Sequence, residues 1–162
     1  MAADAMACVE PVTFEPCNVR YMSMSKDITV TFPGGQRVEA HYDGRTVPTD
    51  QSPEHGGSGS APEPFDLFWV SIATCMGVYV LDFCQKRGLD TAGLGLRLHT
   101  ERDPELKRYA RVEITITVPE GFPERYRQAI QRAADLCTVK KHILNPPTFH
   151  INVESSSRVA RQ

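Results

Sequence analysis

Two of the five cysteines in this chain stand where a thiol meets a long apolar segment. Cys75 lies inside Leu67 to Leu81, a run of 15 residues without a charge, and Cys137 closes the helical stretch from Pro123. A thiol placed that way is either inert filler or a nucleophile shielded from water. Two such thiols brought together could do redox chemistry. One would be oxidised to a sulfenic acid, and the other would condense with it to a disulfide. Cys84 follows Cys75 by nine residues, a rotation of about 900°, and so falls on the opposite side of the helix as a packed thiol. Cys8 and Cys17 stand apart in an N-terminal arm and have no assigned role.

A reactive Cys75 requires activation from outside its own helix. It lies about ten residues, roughly 15 Å, from the expected helix start, and the helix dipole acts only within the first turn. Apolar surroundings disfavour a charged thiolate, so a cation has to be delivered from elsewhere in the fold. Arginine suits, because it stays charged and can hydrogen bond to thiolate and substrate oxygen together. Arg37 and Arg45 flank the strand before a long loop and are the candidate donors. A carboxylate such as Asp66 or Glu63 could hold the guanidinium in place.

Competing uses of the same residues are weaker. Cys137 and His142 are five apart while Cys75, Cys84, His55 and His99 are scattered; there is no Cys-x-x-Cys and no His-x-x-x-His, so no metal is expected. Ser71 precedes Cys75 by four residues without the Gly-x-Ser-x-Gly turn of a serine hydrolase. No glycine-rich nucleotide fingerprint follows a strand.

The elements that must position these thiols follow from size and patterning. At 162 residues with 41% hydrophobic composition, the chain suits one domain, expected over 26–154 between an arm over 1–25 and a polar tail over 155–162. Its 18 Lys and Arg against 20 Asp and Glu form no basic face, which argues against nucleic acid. The uncharged run falls short of the roughly 20 residues of a membrane span and reads as a core helix. The start, Met1 to Cys8, faintly resembles a lipoprotein cleavage site but lacks a positive leader, so the chain is expected to stay unexported. An odd number of widely spaced cysteines points to thiols in a reducing cytoplasm.

Asp27–Phe32 and Arg37–Tyr42 alternate around Pro33-Gly-Gly-Gln36, the turn chemistry of a hairpin. A polar stretch from Thr46 to Pro64 then reads as a long loop. Pro64 and Asp66 mark a helix start, and the helix should run to about Arg87 and stop at Gly88. Leu94, Leu96 and Leu98, then Val112, Ile114, Ile116 and Val118, alternate as half-buried strands joined by a turn over Arg102–Lys107. Tyr126, Ile130, Ala133 and Cys137 form the buried stripe of a second helix. A short helix over Val139–Leu144 and a last strand over Phe149–Val153 complete the pattern. The order implies an α+β fold with mostly antiparallel sheets.

Ser58–Gly88, with Ala134-Asp-Leu-Cys-Thr-Val-Lys-Lys140, resembles the OsmC and Ohr family of osmotically inducible and organic hydroperoxide resistance proteins. The resemblance spans about residues 27 to 153 in element order. It implies antiparallel sheets wrapping two central buried helices in an intertwined homodimer, with active sites at the subunit interface. It also implies a thiol-dependent peroxidase for small organic hydroperoxides, without a cofactor, regenerated by a thiol or dithiol. Cys75 stands at the position of the peroxidatic cysteine. Cys137 stands at that of the resolving one, in a Cys-Thr-Val setting where the family often has Cys-Pro. Arg37 is the nearest match to the family's activating arginine. The glutamate of the best peroxidases would fall at Phe65, and Asp66 matches the acidic residue of an OsmC-like branch. Apolar walls from Phe65, Phe68, Trp69 and Met76 would favour an alkyl substrate. The alternatives on the same fold are a non-catalytic binding domain for an apolar ligand and a disulfide redox switch without turnover.

Overall fold

The computed structural model describes residues 25–155, so Cys8, Cys17 and the tail from 156 lie outside the described residues. The first element is an antiparallel hairpin of β1 (Thr29–Gly34) and β2 (Arg37–Tyr42), turned by Gly34 and Gly35 at φ values of 121° and 64° that glycine alone adopts freely. A third strand, β3 (Arg45–Thr49), returns on β2 with Tyr42 opposite Arg45 and Val38 opposite Thr49. The polar stretch expected as one long loop is therefore shortened at its start by this strand. Pro48 within it masks the signal, and it is tolerated because β3 is an edge.

The central helix α1 spans Pro64–Gln85. Pro64 fits its first turn, where a missing N–H costs nothing. Across the start, Asp66 Oδ2 accepts from Glu63 N at 3.1 Å and Asp66 N donates to Glu63 O at 3.0 Å. The chain leaves the helix through Lys86 and turns at Gly88, whose φ is 60°. Ile72, Met76, Val80, Phe83 and Cys84 recur at helical spacing as its buried stripe. Each large apolar side chain among them contributes about 1.5–3 kcal/mol by leaving water. The opposite stripe, with Val70, Val78 and Leu81, is exposed.

A second antiparallel pair, β4 (Gly95–Asp103) and β5 (Arg108–Thr117), carries Leu96, Leu98, Ile114 and Ile116 against the core. Asp103 Oδ1 accepts from Glu105 N and Leu106 N, each at 2.9 Å, which closes the turn between them. A short 3-10 turn over Glu124–Tyr126 then leads into α2 (Arg127–Asp135), and α3 (Thr138–Leu144) follows. The buried core joins the inner stripe of α1 to Phe122, Ile130, Ala133, Ala134 and Cys137. No residue of β1, β2 or β3 belongs to it.

Two expectations change. The second helix ends at Asp135 instead of continuing to Cys137, because Cys137 turns to φ −44° and ψ 118° and serves as the N-cap of α3. The strand expected over Phe149–Val153 is absent among the described residues. Phe149, Ile151 and Val153 are 80%, 92% and 97% exposed. A lone strand leaves its backbone groups without ladder partners, and among the described residues this segment has none.

Candidate active site

The site forms where the middle of α1 meets the start of α3. Cys75 is partly exposed on α1 and packs at the margin of the core, while Cys137 is fully buried at 0% exposure. Both are free thiols. Lys140 N donates to Cys137 Sγ at 3.4 Å, the bond that makes a cysteine the cap of α3. On its other side Cys137 Sγ donates to Ile72 O at 3.9 Å, three residues before Cys75.

Burial pushes the Cys137 thiol up, against the opposing pull of the Lys140 N–H. The neighbouring Cys75 side chain adds to that push. Cys137 thus sits against the turn of α1 that precedes Cys75. Cys84 lies elsewhere in the core at 0% exposure, where burial raises its thiol in spite of the nearby Arg87 charge. That is the environment of a packed thiol.

The expected apolar wall is a cluster of rings at the first turns of α1. Phe65 stacks on Phe68 at 5.4 Å between centroids and meets Trp69 edge-on at 5.5 Å. Tyr109 of β5 joins the cluster at 5.7 Å from Phe65 and 5.1 Å from Trp69, a contribution across the chain that no local pattern shows. Phe68, Trp69, Ile72 and Met76 line a cavity of about 350 Å³, together with Ile114 and Ala134. Cys75 is not among the lining residues, so the cavity runs beside the thiol instead of opening onto it. Trp69 contributes a buried Nε1 with no hydrogen-bond partner among the described residues.

Arg37 and Asp66 are not brought to the thiols within one copy of the chain. The exposed Arg37 donates from Nε to Gly34 O at 3.4 Å, and Asp66 accepts from Glu63 N at the start of α1. Glu63 is occupied as well. Its Oε1 accepts from Ser52 N and meets His55 Nδ1, each at 3.0 Å, and the Ser52 hydroxyl, followed by His55 and the Ser52 N–H, lowers its carboxyl to about 2.

Sequence reasoning missed the knot that orders the loop before α1. Asp50 is 1% exposed, and its Oδ2 accepts from Ser58 N and Oγ and from Ser60 N and Oγ at 2.7–3.1 Å. Its Oδ1 takes Gln51 N at 2.8 Å. The Ser58 hydroxyl, followed by the Ser60 backbone, holds this carboxyl well below the usual range. The available signal was the repeated Gly-Ser of Gly57-Ser-Gly-Ser60 after a lone aspartate.

With this geometry in place, the comparison with known proteins is direct. The family described as OsmC-like protein matches residues 57–152, more than half of the chain and both cysteine segments. The chain belongs to the OsmC-like family. No individually curated protein matches it. Among solved structures, a Psychrobacter arcticus protein proposed to be osmotic-stress induced and to serve a detoxification response superposes with a TM-score of 0.62 at 24% identity, covering 75% of this chain and 90% of that one. An OsmC-like protein from Mycoplasma pneumoniae gives 0.61 at 12% identity, covering 77% and 91%. An organic hydroperoxide resistance protein, OsmC, from Legionella pneumophila gives 0.51 at 16%, covering 75% and 90%. At these identities the likeness is one of fold, and it confirms an OsmC-like α+β architecture.

Proposed function

We propose that this OsmC-like protein is a thiol-dependent peroxidase that reduces organic hydroperoxides to alcohols. The observation that supports the reading is a pair of free thiols, Cys75 partly exposed on α1 and Cys137 buried at the start of α3 with its sulfur on Ile72 O, three residues before Cys75. Cys75, as thiolate, attacks the terminal oxygen of the hydroperoxide; the O–O bond breaks, an alcohol leaves after taking a proton, and Cys75 becomes a sulfenic acid. The Cys137 thiol then attacks that sulfur, water leaves, and a Cys75–Cys137 disulfide remains. An external dithiol reduces it and is itself oxidised. A reducing cytoplasm suits this cycle.

The activating charge belongs to a homodimer in this reading. Arg37 sits in a sheet that contributes nothing to the core of its own subunit, and the outer stripe of α1 with Val70, Val78 and Leu81 is exposed. At 22 residues α1 has the length and apolar composition of a membrane span, but its inner stripe packs on α2. A second copy would cover the outer stripe and give the Phe149–Val153 segment a strand to pair with. It would also deliver Arg37, held by Asp66, to a thiol.

Turnover of cumene hydroperoxide with a dithiol tests the enzyme. Wild type consumes it and Cys75→Ser does not; turnover surviving in Cys75→Ser refutes the proposal. A second reading, binding of an apolar ligand, is favoured by the cavity that bypasses Cys75 and by the unmatched Trp69 Nε1. Ligand affinity that is indifferent to Cys75→Ser, with no peroxide consumed by wild type, would select it.

A further inference from the structure

Tyr79 lies four residues beyond Cys75 on α1, so the two side chains leave the same face one turn apart. Thr138 follows Cys137 as the first residue of α3. Their hydroxyls meet at 3.0 Å across 59 residues of chain, in a partly buried contact. Capping does not require this bond, since the cap of α3 is supplied by Cys137 Sγ and Lys140 N. The pair completes a bracket instead. Cys137 Sγ is tied to Ile72 O just before Cys75, and Thr138 is tied to Tyr79 just after it. The Cys137 segment is thereby held at two points of α1 about 10 Å apart, with Cys75 between them.

We propose that Tyr79 and Thr138 are positioning residues for the resolving step: their bond holds the start of α3 against α1 so that the Cys137 sulfur stays aimed at Cys75. A disulfide needs sulfurs about 2.05 Å apart with a torsion near ±90°, closer than two thiols in van der Waals or hydrogen-bond contact. Bond formation therefore draws the start of α3 toward α1, and a tether beside the sulfurs limits the directions in which it can move. The threonine hydroxyl occupies the position where the family often has proline, so the device belongs to this chain's own Cys-Thr-Val segment. The inference rests on the peroxidase reading for the identity of the oxidant, while the geometry applies to any two-electron oxidation of the pair.

The test uses full-length Tyr79→Phe, Thr138→Val and Thr138→Ser, the first two each removing one hydroxyl and the third keeping it. Reduced protein is equilibrated with mixtures of glutathione and its disulfide, and the Cys75–Cys137 disulfide is quantified by mass spectrometry after alkylation. In Tyr79→Phe and Thr138→Val the equilibrium constant for the disulfide should fall by up to about tenfold, the effect of one hydrogen bond. The double variant should fall no further, and Thr138→Ser should match wild type. After hydroperoxide, the Cys75 sulfenic acid trapped with dimedone should persist longer by a similar factor in the two deleted variants. Unchanged disulfide equilibrium and sulfenic acid lifetime in both would overturn the proposal. So would Thr138→Ser behaving like Thr138→Val, which would reduce the contact to packing. If wild type forms the disulfide from glutathione disulfide and the variants shift it, yet no organic hydroperoxide is reduced, the peroxidase reading falls and the positioning pair stands.

Discussion

Replacing Gly57 by alanine should destabilise the loop that precedes the central helix, and the cause is space alone. Gly57 is not in the left-handed region, unlike Gly56 at φ 84° and Gly59 at φ 65°, so alanine suffers no backbone penalty of its own. A Cβ there would lie 2.0 Å from Gln51 O, 2.5 Å from Gln51 C and 2.8 Å from Asp50 Oδ1. The nearest of these atoms is backbone carbonyl, which cannot rotate away. The segment has to shift by more than 1 Å to regain ordinary contact of about 3.5 Å. Gln51 O also accepts from Gly59 N at 3.0 Å, a bond that such a shift breaks. Overpacking costs about 1–3 kcal/mol and a neutral hydrogen bond about 1 kcal/mol, together about 2–4 kcal/mol. For a chain of this size each kcal/mol lowers the Tm by about 2–4 °C. Thermal unfolding followed by circular dichroism should therefore show a drop of about 4–16 °C. A Gly57→Ala protein melting within about 1 °C of wild type would refute the steric reasoning.

The neighbouring carboxylates make the same loop acid-sensitive. Glu63 is lowered from an ordinary 4.5 to about 2 in the folded chain, so its contribution is complete above the ordinary value and is lost as the pH falls through the folded one. Stability should fall between about pH 4.5 and pH 2, and Glu63→Gln should flatten that slope; denaturant midpoints against pH check it. Asp50→Ala removes the acceptor shared by Ser58 and Ser60, and limited proteolysis should then cut within residues 51–62 faster than in wild type. Val78→Asp on the exposed stripe of α1 should shift the proposed dimer to monomer in analytical ultracentrifugation, with a loss of peroxide turnover if Arg37 acts across the interface. A Val78→Asp protein that stays dimeric would place the interface elsewhere.

Much of this fold is legible because local pattern and tertiary environment agree. Strict alternation marks β2 with its observed bounds of Arg37 and Tyr42, and the uncharged run between Asp66 and Asp82 can only be a helix that buries a face. The failures arise where the deciding contacts are distant in sequence. The i, i+4, i+3, i+4 spacing of Tyr126, Ile130, Ala133 and Cys137 is satisfied by burial of all four positions to some degree. The helix nonetheless ends early, because the Cys137 sulfur caps the next helix instead of extending the first. The Asp50 knot depends on a loop folding back over eight and ten residues, which has no periodicity. Phe149–Val153 reads as a strand because its alternation is real, but among the described residues no sheet edge pairs with it. The pairing of Cys75 with Cys137 was the inference furthest from local pattern, and the Cys137 sulfur rests on Ile72 O, three residues before Cys75.

The most direct measurement of the central claim is peptide mapping, without reductant, of the reduced protein after one equivalent of cumene hydroperoxide. The two-thiol cycle predicts a single Cys75–Cys137 disulfide with Cys84 still free. Unmodified Cys75 and Cys137 beside intact peroxide, or a disulfide made with Cys84 instead, would contradict it.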